Sequence, residues 1–453
     1  MIVKNSNILV VGLGKSGIAA TEALLSQGAK VSVYDKKKLN DLKPNMVNFF
    51  LNKDVKCFFG EEPKDMAIFD LLVVSPGVPL EIDIVQNALK AGVEVIGEVE
   101  LAWRMGKGNY VAITGTNGKT TTTVLAGEIF KAAGRKTEVV GNVGVAVTKK
   151  AISATPDTWM ITEISSFQLE TTKTFHPKIS AILNITPDHM DRHQTLENYA
   201  RAKSLIYQNQ NETDFLIINY DDKESYNLKD SCKATIVPFS RTNTLDFGVF
   251  VKDDTIVVKD KAGKIHDISK VENITIPGGH NLENALAATG IAFFAGISPE
   301  IIEKTLMSFK GVEHRLELCG EVNGVRFVND SKGTNPDASI KAIEAIEDKI
   351  VLIAGGFDKG SSFDELIDIF IKKGRALILL GKTAMKIKEA AEKKGFTNIV
   401  IAKNMEECVR ESIRVAEPGD TVLLSPACAS WDMYTDFEQR GEHFKSCVKN
   451  LEK

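Results

Sequence analysis

At 453 residues the chain is too long for one hydrophobic core of ordinary size, so two or three domains are expected. Its 43% apolar and 26% charged residues are those of a soluble globular protein, and a net charge of −4, with acids and bases interspersed, leaves no basic stripe for a nucleic acid or an anionic membrane. Six scattered cysteines (Cys57, Cys232, Cys319, Cys408, Cys428, Cys447) have neither Cys-x-x-Cys nor zinc-site spacing, and read as reduced thiols of a cytoplasmic protein whose partners are small molecules.

The opening residues run into an apolar strand pattern at 8–11 without the long apolar segment of a signal peptide, and no uninterrupted stretch is long enough to span a bilayer. Strand-like runs then alternate with helical stretches, which predicts parallel sheets covered by helices on both faces. Three segments each carry such a series: 1–97 with strands at 8–11, 31–34 and 71–74; 98–311 with strands at 110–114, 158–164 and 179–185; and 312–453 with strands at 326–329, 350–354, 376–380, 399–402 and 421–425. Between 215 and 276 the short runs 216–218 and 255–258 predict a small added antiparallel patch within the middle segment.

Gly12-Leu13-Gly14-Lys15-Ser16-Gly17 follows the first strand and opens a helix, and Asp35 ends the next strand. Glycines there let a backbone approach a pyrophosphate at a helix N-terminus, while the acid can bind a ribose hydroxyl; the same pattern serves a nicotinamide-dependent dehydrogenase or a mere tight turn. Ser75-Pro76-Gly77, closing the strand 71–74, adds backbone donors on the same edge.

In the middle segment Gly115-Thr116-Asn117-Gly118-Lys119-Thr120 lies between a strand and a helix, with Thr121 next in line. Such a loop turns N–H groups on phosphate oxygens, sets an ammonium on the terminal phosphates and offers a hydroxyl to magnesium. Ile113 stands where the longer phosphate-loop form has its first glycine, so only the Gly-x-x-Gly-Lys-Thr core is present. A dehydrogenase has no use for a triphosphate cradle.

Glu163 ends the strand-like run 159–162, where a parallel sheet delivers side chains to its ligand edge; it is either a metal ligand or a solvated acid. His189, in the polar loop 186–193, is either a ligand or simply exposed. Lys203 is more unusual. On the predicted helix 196–207 it shares one stripe with Leu196, Tyr199, Ala200, Ile206 and Tyr207, so its ammonium must snorkel out, be neutralised or be paired.

The last segment places three polar loops at strand ends: 329–335, 355–360 and 425–432. Ligands bind open α/β sheets at that edge. His314-Arg315 precedes them, with Arg315 either reaching a nucleotide or forming a surface ion pair.

Together these motifs resemble, from end to end, the Mur ligases of peptidoglycan synthesis, relatives of folylpolyglutamate synthase. The residues that carry the resemblance are the phosphate loop 115–120, the string 163–170 (EISSFQLE), Asp188-His-Met-Asp191, the run 279–285, His314-Arg315, Asn329-Asp-Ser-Lys332, the string 424–430 (LSPACAS) and Phe437-Glu-Gln-Arg-Gly441. The resemblance implies an α/β fold of three domains: a Rossmann-like UDP-sugar domain (1–97), a P-loop-type mononucleotide-binding domain with its small β patch (98–311) and a C-terminal Rossmann-like domain for ATP and the amino acid (312–453).

The resemblance further implies roles. Gly115 to Thr121 hold the ATP phosphates, Asn142 contacts phosphate oxygens, Asn281 and Asn284 contact adenine, and Arg315 and Asp330 hold the ribose and phosphate region. Thr120, Glu163, His189 and a carbamylated Lys203 support magnesium, with Lys119, His189 and Lys203 the catalytic set. Ser16, Asp35, Lys36, Ser75 and Gly77 match the uridine nucleotide site, and Thr334, Lys359, Ser430 and Phe437 an amino-acid pocket.

Within that resemblance, the strings 165–170 (SSFQLE) and 425–430 (SPACAS), with the compact first domain carrying Gly12 to Gly17, point to the branch expected to add D-glutamate to UDP-N-acetylmuramoyl-L-alanine through an acyl phosphate. A sister ligase adding another amino acid, a nicotinamide oxidoreductase and a non-catalytic nucleotide-binding regulator are the alternatives. Neither a nucleic acid nor a membrane is expected as partner, and the resemblance favours a monomer.

Overall fold

The computed structural model describes residues 3–41, 50, 53, 55–276, 278–357 and 360–451. They form three sheets. The first has five parallel strands in the order Lys56–Phe59, Lys30–Asp35, Asn7–Val11, Leu71–Val74, Glu94–Gly97. Strands such as Leu71–Val74, apolar and buried at every position, belong in the interior of a sheet covered on both faces. The strand order reverses at Asn7–Val11, so the loops after Val11, Asp35 and Val74 share one edge.

The second sheet has nine strands. From Thr137–Gly141 through Trp159–Glu163, Asn109–Thr114, Ile179–Ile182, Phe215–Asn219 and Thr235–Ser240 to Gly248–Lys252, every pairing is parallel. The added antiparallel patch expected at 215–276 is therefore present at 255–258 but not at 216–218. The run at 216–218 extends the main sheet, because the helical turns Lys223–Tyr226 and Asn227–Ser231 return the chain for a parallel partner. Antiparallel pairing comes in only with the hairpin of Gly248–Lys252 and Thr255–Lys259, whose turn residues Asp253 and Asp254 both have positive φ (47° and 54°).

In the third sheet Glu317–Val322 pairs antiparallel with Val325–Asn329, and Thr421–Leu424, Ile350–Ala354, Gly374–Leu379 and Ile399–Ile401 follow in parallel. One apolar cluster covers each face of this sheet, one around Leu352, Leu366 and Phe370 and the other around Val351, Phe327 and Phe444.

The chain forms two compact units. The first contains Met1–Ile185, Glu197–Ile268 and Leu286–Thr305, and so carries the first two sheets. The second contains Leu306–Lys453 with two excursions of the preceding chain, Thr186–Leu196 and Ser269–Ala285. Within the first unit, the helix Glu98–Met105 joins the sheets through buried acids. Glu98 accepts hydrogen bonds from the Thr148 amide (2.6 Å) and hydroxyl (2.7 Å), and Glu100 accepts from the amides of Lys173, Thr174 and Phe175. Burial raises the Glu98 pKa against those donors. Among the described residues no helix is long and apolar enough to cross a membrane, and all six cysteines are free.

Candidate active site

The phosphate loop takes its shape from one glycine and one asparagine. Gly118, at φ +82°, turns the chain from the strand Asn109–Thr114 into the helix Lys119–Ala132, a conformation a side chain would strain. Asn184 holds the loop from the neighbouring strand end: its Oδ1 accepts from the Asn117 amide (2.8 Å), its Nδ2 donates to the Asn117 carbonyl (3.1 Å), and its own carbonyl accepts from Thr116 (2.9 Å). Lys119 Nζ folds back on the Gly115 and Thr116 carbonyls at 2.8 and 2.7 Å. Thr120 and Thr121, each 3% exposed, begin the helix, whose N-terminus carries the partial positive charge of its amides.

Glu163 ends the adjacent strand in register with Ile113 and is 1% exposed. Its Oε1 accepts from Asn142 Nδ2 (2.8 Å), while the buried Oε2 has no hydrogen-bond partner. A buried carboxylate oxygen without a donor is costly. It is the atom a hard divalent cation would take, so the donor set fits magnesium.

Lys203 decides between the alternatives left open by the sequence. The helix is Leu196–Ser204, continued by a tight turn at Leu205–Tyr207, and it buries Tyr199, Ala200, Ala202 and Lys203. The lysine does not snorkel: it is 1% exposed, its Nζ lies 4.3 Å from the Tyr199 ring centre, and it donates to the Gly115 carbonyl at 2.8 Å. Lys119 and Lys203 therefore point their ammonium groups at the same oxygen.

The N-terminal loop is built for close backbone approach. Gly12 has φ +88°, and a Cβ on Gly17 would stand 1.9 Å from the Gly12 carbonyl oxygen, so the helix packs directly on the turn. Ser75 Oγ donates to that carbonyl (2.8 Å), and Asp35 accepts from the amides of Leu13 (3.1 Å) and Lys37 (3.0 Å). Ser16 is half-buried beside them; Lys36 and Gly77 are exposed.

The remaining predicted residues belong to the second unit. His189, with φ 55°, begins the helical turn Met190–His193 and lies 3.7 Å from Asp188. Its loop is tied to the loop after Asn329 by Asn335 Nδ2 to Asp188 (3.2 Å) and Thr186 Oγ1 to Asp337 (3.1 Å). The two loops and residues 360–365 line a cavity of about 610 Å³. Arg315 and Asn281 line a second cavity of about 510 Å³, with Asn284 donating to Asn281 (3.1 Å).

Asp330 is 1% exposed; its Oδ2 accepts from Ser425 (2.7 Å), and its Oδ1, with no hydrogen-bond partner, lies 3.8 Å from Arg315 Nη1. Burial pushes its pKa up to about 6 against the pull of Arg315, so it is chiefly ionised at neutral pH. Thr334 is half-buried, Ser430 buried, and Phe437 opens the last helix. Lys359 lies outside the described residues.

Asn184 and Arg440 escaped the sequence reading. Asn184 had a usable signal, a polar residue just beyond the apolar strand Ile179–Ile182. Arg440 lies in the run 437–441 that carries the resemblance, but the sequence assigned it no role.

Three family models cover most of the chain. Mur ligase MurD-like, N-terminal domain, matches residues 6–97; Mur ligase middle domain matches 113–292; and Mur ligase, glutamate ligase domain, matches 314–428. The UDP-N-acetylmuramoylalanine–D-glutamate ligase of Caldanaerobacter subterraneus subsp. tengcongensis is 51% identical over 456 residues, covering 100% of both chains. The chain belongs to the Mur ligase family. The enzyme of the same name from Clostridioides difficile is 47% identical over 452 residues, again with both chains fully covered.

Solved Mur ligases share the fold at much lower identity. The UDP-N-acetylmuramate-alanine ligase of Thermotoga maritima superposes with a TM-score of 0.61 at 18% identity, over 98% of this chain and 100% of that one. A pseudomurein peptide ligase type C from Methanothermus fervidus gives 0.61 at 17%, over 99% and 100%. The glycine loop 12–17 lies in the stretch matched by the MurD-like N-terminal domain, which removes the dehydrogenase reading.

Proposed function

We propose that this chain joins the L-alanine carboxylate of UDP-N-acetylmuramoyl-L-alanine to the amine of D-glutamate, at the expense of ATP, in the cytoplasmic synthesis of peptidoglycan precursors. Full-length identity of about half to enzymes of that name supports the substrates. The observation that carries the chemistry is the convergence of Lys119 and Lys203 on the Gly115 carbonyl, on a loop next in the sheet to a buried acid with a free oxygen.

A carboxylate must be activated before an amine can displace its oxygen. The γ-phosphoryl group of ATP passes to the substrate carboxylate, giving an acyl phosphate and ADP; the D-glutamate amine then attacks the acyl carbon, and phosphate leaves. The first step brings two anions together, so the chain must supply positive charge in advance. Lys119 moves from its carbonyl partners to the phosphates, and the amides of 115–120 surround them. Thr120, Glu163 and His189 would hold magnesium, which would supply further charge neutralisation. Asn142 orients Glu163 and reaches phosphate oxygens, and His189 is the candidate base for the attacking amine.

The Lys203 amine, once deprotonated, would add to the carbon of carbon dioxide and release a proton, leaving an N-carbamate whose anion would support the metal site. Asn281, Asn284, Arg315 and Asp330 hold adenosine. Ser16, Asp35, Lys36, Ser75 and Gly77 hold the UDP-sugar, and Thr334, Lys359, Ser430 and Phe437 hold D-glutamate. The segments 1–97, 98–311 and 312–453 accordingly divide the work between UDP-sugar, ATP and amino acid, in a monomer.

The test is phosphate release with ATP, magnesium and UDP-N-acetylmuramoyl-L-alanine, comparing D-glutamate, L-glutamate and L-alanine. Release with D-glutamate alone is expected; release only with another amino acid would overturn the substrate assignment. A carbamate carbon signal from the protein in ¹³C-bicarbonate, lost in Lys203→Ala, tests the modification.

A further inference from the structure

Arg440 is the bulkiest of the fully buried side chains, 2% exposed, in the first turn of the helix Phe437–Leu451. Burying a guanidinium is costly unless its donors are all satisfied, and buried arginines ordinarily meet a carboxylate. Among the described residues its hydrogen bonds go to neutral oxygens. Nε donates to Ser331 Oγ (3.0 Å), Nη2 to the Ser331 carbonyl (2.8 Å) and Nη1 to the Cys428 carbonyl (3.1 Å). Ser331 Oγ in turn donates a hydrogen bond to the Phe437 carbonyl (2.8 Å). A Cβ on Gly356 would come within 3.3 Å of Nη1, so the third strand-end loop is packed on the same group. Burial pulls the Arg440 pKa down to about 10, which leaves it charged at neutral pH.

The groups gathered here belong to three different strand ends. Ser331 follows Val325–Asn329 and lies between Asp330 and Thr334; Cys428 follows Thr421–Leu424, just before Ser430; Gly356 follows Ile350–Ala354. Backbone bonds link the loops in pairs: Ala427 to Gly333 (2.9 Å), Gly355 to Pro426 (2.9 Å) and Phe357 to Ala429 (2.8 Å). Arg440 is the side chain that reaches across the set, and its helix begins with Phe437.

We propose that Arg440 is a positioning residue for the amino-acid substrate, its planar fork fixing the loops of Thr334 and Ser430 and the helix start of Phe437 in one arrangement. The inference rests on the D-glutamate reading above. It requires the forked geometry as well as the charge, because a lysine ammonium cannot meet two carbonyls and a hydroxyl held in the plane of a guanidinium.

The experiment compares wild type, Arg440→Lys and Arg440→Ala in phosphate release, with thermal unfolding recorded for each. In Arg440→Lys, KM for D-glutamate should rise by about tenfold or more while KM for the UDP-sugar stays within about twofold. In Arg440→Ala, millimolar guanidinium should restore part of the D-glutamate KM, and urea at the same concentration should not. Equal losses for both substrates, or rescue by urea as well as guanidinium, would reduce Arg440 to packing and overturn the proposal. Should Arg440→Ala fail to fold, the substrate split in Arg440→Lys decides alone. A wild type that ignores D-glutamate would instead sink the proposed function.

Discussion

Two glycine loops of the first unit begin alike and end differently. Both follow a buried strand of a parallel sheet and open a helix, and in both a glycine takes positive φ, Gly12 at +88° and Gly118 at +82°. Around Gly12 the neighbours are Ser75 and Asp35, which bond to the turn itself. Around Gly118 they are two lysines on one carbonyl and, on the adjacent strand, an acid with an unpartnered oxygen. On the proposed function, the same backbone device would serve binding in one case and chemistry in the other. What separates them is the charge brought in from the neighbouring strands and helices.

That contrast predicts different kinetic signatures. Lys119→Ala should cut kcat on the order of 10³-fold, through loss of charge stabilisation where phosphoryl transfer occurs, with UDP-sugar binding by calorimetry unchanged. Matching losses in UDP-sugar affinity would merge the two loops into one site. Glu163→Gln should lower the rate by ~10²-fold at a fixed magnesium concentration and raise the magnesium needed for half-activity, because the free oxygen is replaced or blocked by an amide. A magnesium titration that superposes on wild type would remove Glu163 from the metal site.

At the other loop Gly17→Ala should raise KM for the UDP-sugar roughly tenfold with kcat nearly unchanged, since its Cβ would drive the helix away from the Gly12 carbonyl. Ser75→Ala removes one hydrogen bond to the turn and should raise the same KM by about threefold to fivefold. A fall in kcat alone, in either variant, would give the N-terminal loop a part in the chemistry.

The loops could be found in the sequence because their chemistry is local: glycine, lysine and threonine at fixed spacing between a strand and a helix. Parallel-strand runs such as 71–74 and 350–354 were equally visible, being continuously apolar. The strand Thr137–Gly141 and the edge strand Glu317–Val322 were not, since both mix polar residues among apolar ones and owe their conformation to their partners. The run at 216–218 has strand character in the sequence but does not name its neighbour, so its parallel place beside Ile179–Ile182 escaped prediction.

The sequence by itself determined the alternation of strands and helices, both glycine loops and the anomaly of a lysine on an apolar stripe. Only the tertiary structure decided that Lys203 is buried against the Gly115 carbonyl, that Asn184 braces the phosphate loop and that Arg440 gathers three strand ends. Spacing along a chain fixes which residues share a turn or a face. The partner of a buried polar group is set by whichever distant donor or acceptor the packed sheets bring within hydrogen-bonding reach.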